Sequence, residues 1–200
     1  MIAYETQLDQ DVGWALREGS KHFDGTNAVH DTLRRLCRRL DELGIAYALV
    51  GGMAMFLHGY RRFTEDVHLL VTDADLRRIH AELEGLGYFP PFAGSKNLRD
   101  AETGVRIEFL VTGQYPGDGK PQPVALPDPA SVSVEIGGMN CVNVPTLVQL
   151  KLASGASPGR MKDLADVQEL IRALSLPLEL RDALDPTLRE KYRELWSALQ

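Results

Sequence analysis

The stretch YALVGGMAMFLHGYRRFTEDVHLLV, residues 47–71, decides the fold. Ile45 to Val50 is an apolar run between two glycine signals and predicts a short buried strand. Gly51-Gly52 then turns the chain. Met53 to His58 holds good helix formers with no breaker before Gly59, so a short helix should start at the glycine pair. After a loop from Gly59 to Thr64, Asp66-Val67-His68-Leu69-Leu70-Val71 predicts a second strand. Its period-two alternation turns Val67, Leu69 and Val71 inward and puts Asp66, His68 and Leu70 on the other face.

This order has a chemical rationale. Glycines let a phosphate approach the backbone, and the free amides and positive dipole end of the helix after them favour an anion. Two ligating side chains at i and i+2 of a strand share one face with Cα atoms about 6 to 7 Å apart, close enough to converge on divalent cations. The pattern suits a nucleoside triphosphate held with metal.

Upstream, Val29, Leu33, Leu36, Leu40 and Leu43 recur at helical spacing from a cap at Thr26 or Asn27 to a stop at Gly44. The other face of this helix carries Arg34, Arg35, Arg38 and Arg39, read as solvated surface. Residues 1–25 are interrupted by Gly13, Gly19 and Gly25 and read as an arm, partly helical or loosely attached. Downstream, Thr72 caps a helix with Asp73 and Asp75 in its first turn, carrying Leu76, Ile79, Leu83 and Leu86 to a stop at Gly87. The two aspartates fit the helix dipole better than a metal.

Past Pro90-Pro91, Val105, Ile107, Phe109 and Val111 alternate with Arg106, Glu108 and Leu110, a strand with Glu108 on its less apolar face. Residues 112–130 hold five of the eleven prolines and three glycines, which predicts a long irregular loop. Val132 to Ile136 and Met139 to Val144 flank Gly137-Gly138 as a hairpin. Pro145-Thr146 opens a helix broken by Gly155, Pro158 and Gly159. Leu164, Val167, Ile171 and Leu174 mark the next helix, and shorter ones follow Pro177 and Pro186. The class is α+β with an α/β-like core: a small mixed sheet flanked by helices, then a C-terminal helical block. The expected division is an arm at 1–25, a core at 26–145 and a helical region at 146–200 packed on the core, one domain overall.

Composition narrows the setting. The chain has 200 residues and a net charge of −6, which disfavours bulk nucleic-acid binding. The two cysteines, Cys37 and Cys141, form no zinc or disulfide pattern. No basic start precedes an apolar run and no window is long enough to span a membrane, so a cytoplasmic protein is expected.

The Gly-Gly, spacer and Asp-x-His pattern resembles the DNA polymerase β-like nucleotidyltransferase superfamily, whose motif is Gly-Gly or Gly-Ser followed by Asp-x-Asp on a strand. Thirteen residues separate Gly52 from Asp66, and RIEFL, residues 106–110, stands where such proteins carry a third carboxylate. The segment VPTLVQLKLASGASPGRMKDLADVQELI, residues 144–171, is similar to the lysine-containing helix and the basic-Asp-Leu-x-Asp helix of the AbiEii/MNT-like minimal nucleotidyltransferase branch. The resemblance runs over residues 28 to 174.

It implies a nucleotidyltransferase fold and the transfer of a nucleoside monophosphate from a nucleoside triphosphate to a hydroxyl acceptor, with release of pyrophosphate. By carry-over Asp66, His68 and Glu108 are the catalytic and metal-binding set, with Mg2+ or Mn2+. Glu108 or a neighbour would deprotonate the acceptor. Gly51, Gly52, Met53, Arg62, Thr64 and Lys151 would bind nucleotide and phosphate, and Arg61, Arg160 and Lys162 would assist. Asp163 and Asp166 share a helix face and are second-rank candidates beside the alternative of surface pairing. The family context also implies an antitoxin partner or a homodimer. The departure is His68, which stands where the family has its second acid and offers nitrogen, a ligand for manganese or zinc rather than magnesium. Two readings follow: a metal-dependent transferase, or an impaired nucleotide-binding or protein-interaction module of the same fold. His58 reads as a packing residue, and His22, His30 and His80 have no partner by spacing.

Overall fold

The computed structural model describes residues 2–200. The helices α1 (Tyr4–Gln10), α2 (Val12–Phe23) and α3 (Ala28–Glu42) precede strand β1 (Ala48–Val50), which runs straight into α4 (Gly51–His58). Then come β2 (Asp66–Val71), α5 (Asp73–Leu83), β3 (Tyr88–Phe89), β4 (Leu98–Asp100) and β5 (Arg106–Val111). The single-turn α6 (Pro129–Val132) leads into the hairpin β6 (Ser133–Ile136) and β7 (Met139–Val142), followed by α7 (Val144–Gly155) and α8 (Met161–Leu174). Two 3-10 turns, Leu178–Ala183 and Pro186–Leu188, close onto α9 (Arg189–Ser197).

Among the described residues seven strands form one sheet ordered β3-β4-β5-β2-β1-β7-β6. It is mixed: β2 pairs parallel to β5 and β1 parallel to β7, while β1 and β2 are antiparallel. An α+β sheet flanked by helices is therefore what the alternating patterns build, as the sequence indicates. The apolar stripe of α3 (Val29, Leu33, Leu36, Leu40) is fully buried, and the inward faces of β2 and β5 are equally closed. Tyr4 of α1, Val29 of α3, Leu147 of α7 and Tyr192 of α9 all belong to one apolar cluster. Among the described residues no helix is long and apolar enough to cross a membrane.

Several local expectations need correction. The strand after Ile45 spans Ala48 to Val50 only. Helix α5 ends at Leu83, with Leu86 outside it and 70% exposed. Strands β3 and β4 add an edge that short, weakly patterned segments do not announce. The irregular loop gives way at Pro129 to a turn of helix capped by the Asp128 side chain. Of the two readings of the arm, the helical one holds and loose attachment does not: Tyr4–Gln10 and Val12–Phe23 are helices, with Tyr4 and His22 fully buried.

Candidate active site

The site begins at the glycine bend. Gly51 has φ +68°, a left-handed conformation that glycine adopts at little cost, and a Cβ there would come within 2.8 Å of His68 Nδ1. A Cβ on Gly52 would come within 2.7 Å of Thr64 Oγ1. The glycine pair is thus required by close packing on the loop and strand that follow, whatever else approaches the helix end.

Parallel pairing of β2 and β5 places Asp66 opposite Arg106 and His68 opposite Glu108. His68 Nε2 lies 3.1 Å from Asp66 Oδ2 and 3.2 Å from Glu108 Oε2. Neither oxygen lies along the N–H direction, so Nε2 is a buried nitrogen in ionic contact with two carboxylates and without a well-directed hydrogen bond. Arg106 closes the group, with Nη2 3.0 Å from Asp66 and Nη1 3.1 Å from Glu108. The Thr64 hydroxyl donates to Asp66 Oδ1 at 3.1 Å.

The charges are strongly coupled. Burial alone would push the His68 imidazole down, but the flanking Asp66 and Glu108 outweigh it and raise its pKa to about 9. Burial pushes the Asp66 carboxyl up, and His68 and Arg106 reverse this to hold it well below the usual carboxylate range. Glu108 is lowered by its contact with His68 against the opposing effect of burial.

Ligand atoms of Asp66, His68 and Glu108 all lie within 4.8 Å of one another. An unsatisfied imidazole nitrogen between two carboxylate oxygens is a suitable donor set for a divalent ion that accepts nitrogen as well as oxygen, as manganese does. Binding there requires His68 to give up its proton and the Arg106 fork to release the carboxylates.

A second polar cluster lies between α7 and α8. Lys151 Nζ contacts Asp163 Oδ1 and Asp166 Oδ2, each at 2.6 Å. Arg160 and Ser154 also donate to Asp163, and both Arg62 Nη2 and Nε lie 3.2 Å from Asp166. At 5% and 4% exposure the two aspartates are buried, which corrects the alternative of surface pairing; the polar look of Met161 to Asp166 concealed it. Gly155 permits this approach of the helices, since a Cβ there would press within 2.5 Å of Leu164 Cδ2.

The remaining candidates are placed as follows. Met53 is buried in α4, and Arg62 and Thr64 sit on the loop entering β2. Arg61 lies over the Phe56 ring, 5.5 Å from its centroid. Lys162 is exposed in the first turn of α8. Asp75 pairs with its cap Thr72 and Asp73 with Arg77, both at the start of α5. His58 Nε2 lies 2.7 Å from the Val142 carbonyl, a packing role. The sequence offers Arg106 only as a pairing partner for Glu108, a contact present at 3.1 Å; its place opposite Asp66 follows only from the parallel register, and nothing in the sequence points to His22, buried against the Arg62 loop.

A family model described as nucleotidyl transferase AbiEii toxin, type IV TA system, matches residues 34–199. The chain belongs to the AbiEii nucleotidyl transferase family. Its AbiEii match covers every strand and helices α4 to α9, and leaves α1 and α2 outside. The fold is similar to the solution structure of the antibiotic-resistance factor ANT(2″)-Ia, with a TM-score of 0.54 at 15% identity over 84% of this chain and 93% of that one. The crystal structure of ANT(2″)-Ia in complex with adenylyl-2″-tobramycin gives a TM-score of 0.53 at 14% identity, over 82% and 96% of the two chains. An antigenic nucleotidyltransferase-like protein from Paracoccidioides brasiliensis aligns at 21% identity with a TM-score of 0.45, over 82% and 88%. No curated protein matches the chain. For an AbiEii family member at such identities, the two ANT(2″)-Ia likenesses speak to fold alone.

Proposed function

We propose that this AbiEii family chain transfers a nucleoside monophosphate from a nucleoside triphosphate to a hydroxyl of an acceptor molecule, and that Asp66, His68 and Glu108 hold the divalent ion. The observation that carries the reading is the convergence of these three side chains beside the Gly51 bend. The adenylyl group on tobramycin in the ANT(2″)-Ia complex is the kind of product such a transfer leaves. A bound Mn2+ or Mg2+ supplies positive charge to the triphosphate oxygens as negative charge builds on them.

The protein's own groups do the rest. The Gly51, Gly52 and Met53 amides at the start of α4 receive phosphate oxygens. Arg62 and Lys151, with Thr64, orient the triphosphate, and Arg61, Arg160 and Lys162 add positive charge at its rim. Freed from Arg106, Glu108 takes the proton of the acceptor hydroxyl. The hydroxyl oxygen bonds to the α-phosphorus in line as the bond to pyrophosphate breaks. The family's toxin description supports an antitoxin as this protein's functional counterpart.

One observation favours a second reading. Arg106 and protonated His68 neutralise Asp66 and Glu108 without any metal. A cluster balanced in this way suits an impaired module that keeps the fold for binding. Incubation with α-labelled triphosphates and Mn2+ or Mg2+ separates the two. Label transfer by the native chain supports the enzyme, and transfer only by His68→Asp supports the impaired module.

A further inference from the structure

Helices α1 and α2 lie before the family match, yet they reach the candidate site. Tyr4 N donates to the Gly104 carbonyl at 3.2 Å, and Glu5 forms a two-pronged pair with Arg99 at 2.7 and 2.9 Å. Glu18 of α2 accepts from the Tyr4 hydroxyl and the Ala28 amide, which ties both arm helices to the start of α3.

At the end of this arm, His22 is fully buried. Its ring meets Phe56 of α4 and Phe63 of the following loop edge-on, each at 5.1 Å between centroids. It is a wedge between the helix that starts at the glycine bend and the loop that carries Arg62 and Thr64. Its Nε2 lies 2.9 Å from the Arg62 carbonyl. A carbonyl only accepts, so Nε2 carries the hydrogen. Burial favours the neutral ring, which leaves Nδ1 without a hydrogen; it makes no well-directed hydrogen bond, although the Asn27 side chain lies beside the ring. Of the loop carbonyls, Phe63's accepts from Arg62's own guanidinium at 3.2 Å, and Arg62's accepts from His22.

We infer that His22 is a positioning residue: its hydrogen bond to the Arg62 backbone fixes the loop from which Arg62 reaches Asp166 and Thr64 reaches Asp66. This rests on the proposed phosphate role of Arg62. The N-terminal arm is thereby a working part of the nucleotide site in this chain, and His22 acts through Arg62 rather than by touching substrate.

The test uses the full chain with inorganic tripolyphosphate and Mn2+ as a base-independent probe, read by calorimetry. His22→Phe keeps the ring and removes the donor, and should weaken binding about tenfold, the worth of one directed hydrogen bond near its upper range. His22→Gln, which keeps a donor, should restore it. The double variant His22→Phe/Arg62→Gln should lose clearly less than the sum of the two single losses, whereas additive losses would overturn the inference. Trypsin should cut after Arg61 and Arg62 faster in His22→Phe; faster cutting confined to Arg17 and Lys21 would show that His22 merely fastens the arm. Should His22→Phe not fold, the nitrogen NMR shifts of His22 in the native chain decide: the Nε2–H tautomer supports the inference and the Nδ1–H tautomer refutes it. If the native chain binds no tripolyphosphate, the nucleotide reading fails alone, and the trypsin and NMR results still judge the positioning role.

Discussion

His68 faces Glu108 across the parallel β2–β5 pair, and its Nε2 lies 3.2 Å from Glu108 Oε2 and 3.1 Å from Asp66 Oδ2. A carboxylate at this position would leave three acids around one point. The imidazole leaves two acids and a base, and with Arg106 the cluster is charge-balanced.

That balance has a pH signature. His68 has a pKa raised from 6.5 to about 9, so its contribution to stability is complete below about 6.5 and lost as pH climbs through 9. Asp66 and Glu108 are lowered, so theirs is present above the ordinary carboxylate range and lost on acidification. The native chain should therefore be most stable against thermal unfolding relative to His68→Gln near pH 5 to 6.5, with the advantage shrinking towards pH 9. A difference that grows with pH would contradict the assignment.

Metal affinity should run the opposite way. A cation needs the neutral ring, so Mn2+ binding should strengthen from pH 6 to 9 and release a proton, measurable by calorimetry in buffers of different ionisation enthalpy. His68→Asp replaces a positive charge with a negative one. At roughly 4 kcal/mol per unit charge near a protein surface, Mg2+ affinity should rise by at least about a hundredfold at pH 7.

The glycine bend tolerates no side chain. Gly51→Ala combines a positive φ with a contact to His68 at 2.8 Å, and should cost about 1 to 3 kcal/mol in denaturant unfolding. Gly44→Ala, at φ +62° with open space around it, provides the control for φ alone and should cost less.

Lys151 neutralises two buried aspartates. Lys151→Met should cost about 3 to 5 kcal/mol, because Asp163 and Asp166 then keep only Arg160 and Arg62 as cations. Adding Asp163→Asn should recover part of that loss, seen in the urea midpoint.

The strands and helices that build the site are legible because periodicity sets them: Val67, Leu69 and Val71 must face inward, which leaves Asp66 and His68 together. Glu108 joins them because β5 alternates in the same way. The pairing of Arg106 with Glu108 is legible from the same alternation, but only the parallel register brings Arg106 to Asp66. Asp163 and Asp166 read as second-rank candidates beside surface pairing because local spacing offers only Arg160, while Lys151 comes from the preceding helix and Arg62 from 104 residues away. His22 is hidden for the same reason: its partner lies 40 residues on, and no local pattern marks the arm that delivers it.

A cation seated among Asp66, His68 and Glu108 is the centre of the proposed chemistry. Crystals grown with Mn2+ and a non-hydrolysable triphosphate at pH 8, measured at the manganese absorption edge, should show an anomalous peak within ligand distance of all three side chains, with Arg106 turned away. Manganese bound elsewhere, with Arg106 still paired to Asp66 and Glu108, would contradict it.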